Sequence, residues 1–194
     1  MYRWTALLLF LGLSQSAFAD LIVGYGKMNV DKIYVADNVQ YADGPTPDAI
    51  ADKTWNTVLI GIGGNIRRSS FGLTADFLLS ESKKLADVGT RPLVGGGSTR
   101  VTKNVSHFGL FLGLRFNLID VFVLSTGAGV IDQEAHFTYD PPVANPGGAA
   151  VDEYFHGNYL GVDLIVTDRI MLGARKYNMD HGVALTTYNL TASF

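Results

Sequence analysis

Cysteine is absent from this 194-residue chain, which excludes disulfides, thiolate catalysis and zinc–cysteine sites at the outset. A large excess of either sign of charge is also missing. Lysine and arginine total 15 against 18 acidic residues, so there is no basic surplus to hold nucleic acid. After residue 19 no uninterrupted apolar run approaches the roughly 20 residues that a spanning helix needs. Yet 47% of the residues are apolar and 22 are glycine. High apolar content without helical runs points to alternating strands whose apolar face meets something other than a protein core.

The first 19 residues read as an export leader. Arg3 supplies a short positive region, Ala6 to Leu13 an apolar core, and Ala17-Phe18-Ala19 a small-x-small cleavage signal. Processing there leaves 175 residues beginning at Asp20, a single-domain length, with a net charge of −4.

From residue 20 onward the pattern has period 2. In residues 71–80, Phe71, Leu73, Ala75, Phe77 and Leu79 share one face, and Gly72, Thr74, Asp76, Leu78 and Ser80 the other. Residues 107–117 are sharper still, with Phe108, Leu110, Leu112, Leu114 and Phe116 set against His107, Gly109, Phe111, Gly113, Arg115 and Asn117. Residues 122–130, 160–166 and 184–194 repeat the design. Glycine recurring on the polar face would only weaken a soluble sandwich. Inside a narrow closed barrel it makes room for larger neighbours to fill the interior.

Eight strands are predicted, at about 21–30, 54–64, 70–81, 105–117, 121–138, 153–167, 170–179 and 183–194. Short connections alternate with long ones, apart from a short last connection near Asp180 to Gly182, as in a bacterial outer-membrane barrel with short periplasmic turns and long outer loops. Phe71, Phe116, Phe122 and Phe194 fall near the turn ends. Trp55, Phe108, Tyr139 and Tyr154 fall near the loop ends, where they predict a second aromatic girdle. The fold class expected is an all-β, eight-stranded antiparallel up-and-down transmembrane barrel over residues 20–194, in the bacterial outer membrane.

The strand Leu21 to Lys27, the hairpin Tyr159 to Tyr177 and the terminal Phe194 resemble the small eight-stranded outer-membrane barrels of the opacity-protein-like and OmpX-like family. The resemblance implies a monomer in contact with outer-membrane lipid and lipopolysaccharide, with Phe194 as the signal read by the barrel-assembly machinery. Family members include adhesins and surface-protection proteins, so what it implies is location and fold more than activity.

Four ionisable residues fall on lumen-facing positions: Asp76, Arg115, Asp163 and Arg175. An unpaired buried charge costs several kcal/mol, so each needs a partner. Strand neighbourhood pairs Asp163 with Arg175 and Asp76 with Arg115. The bland reading is a packed polar plug, and the sharper one a narrow conduit lined by these charges.

Asp132, Glu134 and His136 recur at every second residue, and His156 shares their parity across the next connection, which makes a weak candidate for a metal site. The simpler reading is a hydrophilic strand rising above the membrane. No cofactor is expected. No catalytic residue is expected either, since Ser106 and His107 point to opposite faces and no histidine has a serine two residues away. The glycine stretch Gly61 to Asn65 opens no helix and is not a phosphate loop. The Asn104-Val105-Ser106 and Asn189-Leu190-Thr191 sequons match a glycosylation pattern by chance.

A binding function would reside in the loops. Residues 37–54 are acidic, whereas residues 82–104 are basic and glycine-rich, and the two are expected either to pack on each other or to meet lipopolysaccharide phosphates through Lys83, Lys84, Arg91, Arg100 and Lys103.

Overall fold

The computed structural model describes residues 19–31, 39–44, 53–64, 71–119, 121–143 and 150–194. Residues 1–18 of the expected leader and the expected turn with Arg67 and Arg68 lie outside the described residues. Nine strands run in chain order: β1 (Ala19–Val30), β2 (Thr54–Gly64), β3 (Phe71–Ser80), β4 (Lys83–Pro92), β5 (Ser98–Ile119), β6 (Phe122–Asp140), β7 (Ala150–Ile165), β8 (Ile170–Met179) and β9 (Ala184–Ser193). All pairings are antiparallel. β1 joins both β2 and β9, and β3 pairs with β5, closing an eight-strand wall of β1, β2, β3 and β5 to β9.

The ninth strand is a departure from the sequence expectation. Residues 83–92 do not form part of a loop but a strand that continues the line of β3 and pairs with the first residues of β5. β5 therefore begins at Ser98, and with its 22 residues β3, β4 and β5 make one tall hairpin. Thr99, Val101 and Val105 form its buried face, a β-branched column that the polar residues between them obscure.

Alternation decides which way each side chain points. Outward, Leu73, Leu112, Leu160 and Leu190 are 70, 66, 63 and 54% exposed. An unbroken apolar band of this kind on the outside of a closed sheet is the mark of a transmembrane barrel. The terminus is held as the pattern predicts, since the Phe194 N–H donates to Leu21 O at 2.9 Å and ties the last residue to β1.

Inward, the loop half of the lumen is packed with Met28, Trp55, Leu59, Leu78, Ile131 and Phe155, among others. Trp55 is 0% exposed and its indole N–H donates to Val105 O at 3.1 Å, so it belongs to this core and not to the predicted outer girdle. Tyr139 also takes an inward position and packs against the core, while Tyr154, at 58% exposure, faces out as expected. The last connection is tight, with His181 and Gly182 in the left-handed region at φ 54° and 70°. Asp180 Oδ1 accepts the His156 N–H there at 3.1 Å.

Candidate functional site

Asp76 is the centre of the lumen. β3 carries it on the inward face between Thr74 and Leu78, 1% exposed. Arg115 of β5 donates from Nη2 to its Oδ1 at 3.0 Å, and Arg175 of β8 from Nη1 to its Oδ2 at 2.9 Å. The Tyr159 hydroxyl of β7 also donates to Oδ2, at 3.3 Å. β3 and β8 stand on opposite sides of the eight-strand wall, so the Arg175 guanidinium crosses the interior and its Cζ passes 5.5 Å from the centre of the Tyr159 ring. One carboxylate thus bridges two cations from different strands and ties the walls of the barrel together.

Two of the four expected charges meet as predicted, Asp76 with Arg115. Arg175 does not pair with Asp163. In the β7–β8 register Arg175 stands opposite Gly161 and Asp163 opposite Gly173, two residues away toward the turn end, and the longer reach to Asp76 wins. Asp163 is 3% exposed and makes no ion pair among the described residues.

Above the hub three rings pack edge-on and tilted against one another. The centroids of Phe111 and Tyr159 are 5.6 Å apart at 88°, those of Phe111 and Tyr177 4.8 Å apart, and those of Tyr159 and Tyr177 5.5 Å apart. The lumenal glycines explain how they fit. A Cβ at Gly127 would lie 2.6 Å from Tyr159 Cε1, and one at Gly129 the same distance from Phe111 Cδ1. These glycines are ring cradles.

Higher still, Ser80 and His107 come together, a pairing that residue spacing within one strand could not reveal. Ser80 Oγ is 3.4 Å from His107 Nδ1 and accepts the His107 backbone N–H at 2.8 Å. The Ser80 hydroxyl also reaches Glu81 O at 3.1 Å. The ring itself packs edge-on against Trp55 at 4.9 Å. These contacts brace β3 against β5.

The metal candidate does not assemble. Asp132, Glu134 and His136 take outward positions of β6 at alternate residues, roughly 7 Å apart along the strand, with Asp132 covered to 7% exposure, and His156 stands opposite Val130. His136 Nε2 contacts Glu134 Oε1 at 3.0 Å, but among the described residues no cluster of three or more His, Asp or Glu is placed to hold a metal ion.

The two loops do meet. Arg91 donates from Nε to Asp43 Oδ2 at 2.9 Å and from Nη2 to Asp43 Oδ1 at 2.8 Å, with a further bond to Gly44 O at 2.9 Å. Its guanidinium lies 4.7 Å over the Tyr41 ring. Tyr41 bridges to Leu93, and the Ala42 N–H donates to Pro92 O at 2.9 Å, so residues 39–44 add a short rung to the hairpin. The hydrogen bonds from Arg91 hold the Asp43 carboxyl below the usual carboxylate range. Likewise the Asn56 backbone and side-chain N–H groups, each 3.1 Å from the Glu81 carboxylate, hold Glu81 low.

The cations assigned to lipopolysaccharide are divided by this geometry. Arg91 and Lys103 are 6% and 2% exposed, with Lys103 over the Phe137 ring, so neither presents its charge outward. Lys83 Nζ donates to Thr54 O at 2.6 Å and lies over Trp55. Lys84 and Arg100 remain at the surface.

No protein-family model matches the chain, and no curated protein matches it in sequence. Solved structures do match. Ail, the attachment invasion locus protein of Yersinia pestis, superposes with a TM-score of 0.53 at 12% identity, over 90% of this chain and 95% of that one. Ail in complex with the heparin analogue sucrose octasulfate gives 0.54 at 11% identity, over the same shares of the two chains. The outer membrane protein OprG from Pseudomonas aeruginosa gives 0.52 at 10% identity, over 91% and 96%. At such identities the likeness is one of fold, and the fold is that of the small outer-membrane barrels.

Proposed function

We propose that this chain is a non-catalytic outer-membrane barrel whose lumen is sealed by its own side chains and whose work is done by the hairpin and loops on its outer side. The observation that carries this reading is the Asp76 hub with the ring stack above it. Arg115, Phe111, Tyr159 and Tyr177 are each 1% exposed and fill the cross-section, with both buried guanidiniums paired to Asp76. Above them the hairpin, clamped by Asp43 to Arg91, stands clear of the wall as a surface for partners, and Phe194 serves the assembly machinery during insertion.

A second reading, a narrow conduit, has one observation in its favour. Among the described residues Arg115 Nε and Nη1, Ser125 Oγ and Asn189 Oδ1 make no hydrogen bond, and Asp163 lies on the turn side of the hub, so the turn half of the lumen is polar enough to hold water. Single-channel recording in a planar bilayer decides between the two. A silent wild type beside a conducting Arg115→Ala, Arg175→Ala double variant supports the sealed barrel. Steady conductance in the wild type overturns it.

A further inference from the structure

With Arg91 and Lys103 turned inward, the exposed lysines on the barrel wall stand out. Lys27 of β1 and Lys176 of β8 both point outward and make no ion pair among the described residues. They straddle β9. Lys27 stands beside Tyr188 and Lys176 beside Thr186, so the two lysines rise near the upper edge of the apolar band, their Cα atoms about 12 Å apart across two strand spacings and a two-residue offset.

Directly below them the lipid-facing wall is not smooth. Tyr188 and Leu190, each 54% exposed, form a ridge along β9. On one side the small Ala174, paired with Tyr188, leaves a groove of about 440 Å³ lined by Val162, Leu164, Leu172 and the ridge. On the other, Ala192 and Gly24 leave a groove of about 300 Å³ lined by Val23, Tyr25 and Ile170. Two apolar channels thus run down the wall, with a pair of cations at their head.

We infer that the β8–β9–β1 wall is a binding site for a phosphorylated lipid of the surrounding leaflet, with its phosphate between Lys27 and Lys176 and its acyl chains in the two grooves. Charge complementarity selects the occupant. A phosphomonoester offers two cations what a zwitterionic headgroup cannot, and Asn29, Thr186 and Asn178, at the same level, supply polar side chains for the remainder of the headgroup. Nearer the loop end, on the adjoining β6–β7 wall, Glu134 and Asp152 face each other and would repel the same phosphate. The inference rests on the outer-membrane reading and relocates the lipid contact from the loops to the wall.

The test is native mass spectrometry of the protein purified from membranes in detergent, with diphosphorylated lipid A or phosphatidylcholine added. The wild type retains a single lipid A at collision energies that strip phosphatidylcholine. Lys27→Gln, Lys176→Gln lowers the retained fraction at least tenfold. Ala174→Trp lowers it by filling a groove while leaving both lysines in place. Lys84→Gln, Arg100→Gln leaves it unchanged. Heat-modifiable gel mobility reports folding for each variant, so a misfolded variant is recognised and the other groove or lysine variant decides. Equal retention in the folded lysine variant, or no preference for lipid A over phosphatidylcholine, overturns the inference. A wild type that does not insert into bilayers overturns the membrane reading instead.

Discussion

Gly61 stands directly opposite Asp76 across the β2–β3 ladder, and a Cβ on Gly61 would press into the Asp76 carboxylate. The hub can sit at the centre of the barrel only because β2 contributes no side chain at that level.

Gly61→Val is therefore expected to push the carboxylate off its two guanidiniums. Overpacking of this kind costs about 1–3 kcal/mol. Urea unfolding in lipid vesicles reads it as a lowered midpoint, and an unchanged midpoint means that the carboxylate can move aside freely.

Asp76→Asn and Asp163→Asn separate the observed network from the pairing that strand neighbourhood predicts. Removing the charge of Asp76 strands two buried cations and is expected to cost on the order of 3–5 kcal/mol. Asp163 makes no ion pair among the described residues, so its variant is expected to cost clearly less. Equal losses in the same unfolding measurement would mean that Arg175 divides itself between the two carboxylates.

The clamp of residues 39–44 onto the hairpin carries a pH signature. The folded-state Asp43 carboxyl lies below its ordinary value of 3.8, so the clamp is at full strength above that value and is lost only as pH falls through the lowered one. Hydrogen exchange at the Ala42 N–H, corrected for intrinsic rate, is expected to be equally protected at pH 7 and pH 5, and Asp43→Asn is expected to lose protection at both. A fall in wild-type protection between those two pH values would contradict the assignment.

Trp55 gives an optical test of which way β2 faces. Facing inward, it is expected to emit at short wavelength and to resist both aqueous quenchers and brominated lipids. A Trp55→Phe, Tyr154→Trp variant places the indole at an outward position and is expected to be quenched by the lipids. Matching lipid quenching in the two proteins would return Trp55 to the girdle.

The wall was legible because membrane and lumen impose opposite demands on alternate residues, so Leu110, Leu112 and Leu114 against Gly109, Phe111 and Gly113 could be read directly. The tall hairpin was not, because above the bilayer the outward face returns to water and the contrast fades. Ser98, Arg100, Thr102 and Asn104 look like loop residues, and Lys103 interrupts the buried column. Trp55 was misplaced for a related reason, since its position near a strand end gave depth without direction. The identity of the charged residues in the lumen was plain, but their partners were not. Sequence gives neighbours along and between adjacent strands, while Arg175 reaches its carboxylate across the diameter.

The 22 residues of β5, at about 3.3 Å each, run roughly 70 Å, against an apolar band only about 25 Å tall. β8 and β9, with 10 residues each, end soon after that band and turn back within three residues. The rim is consequently a slope, low at the Lys27 and Lys176 side and high at the β4–β5 tip. The barrel therefore carries a one-sided mast, and any group that approaches along the barrel axis meets the β4–β5 tip before it meets the low rim.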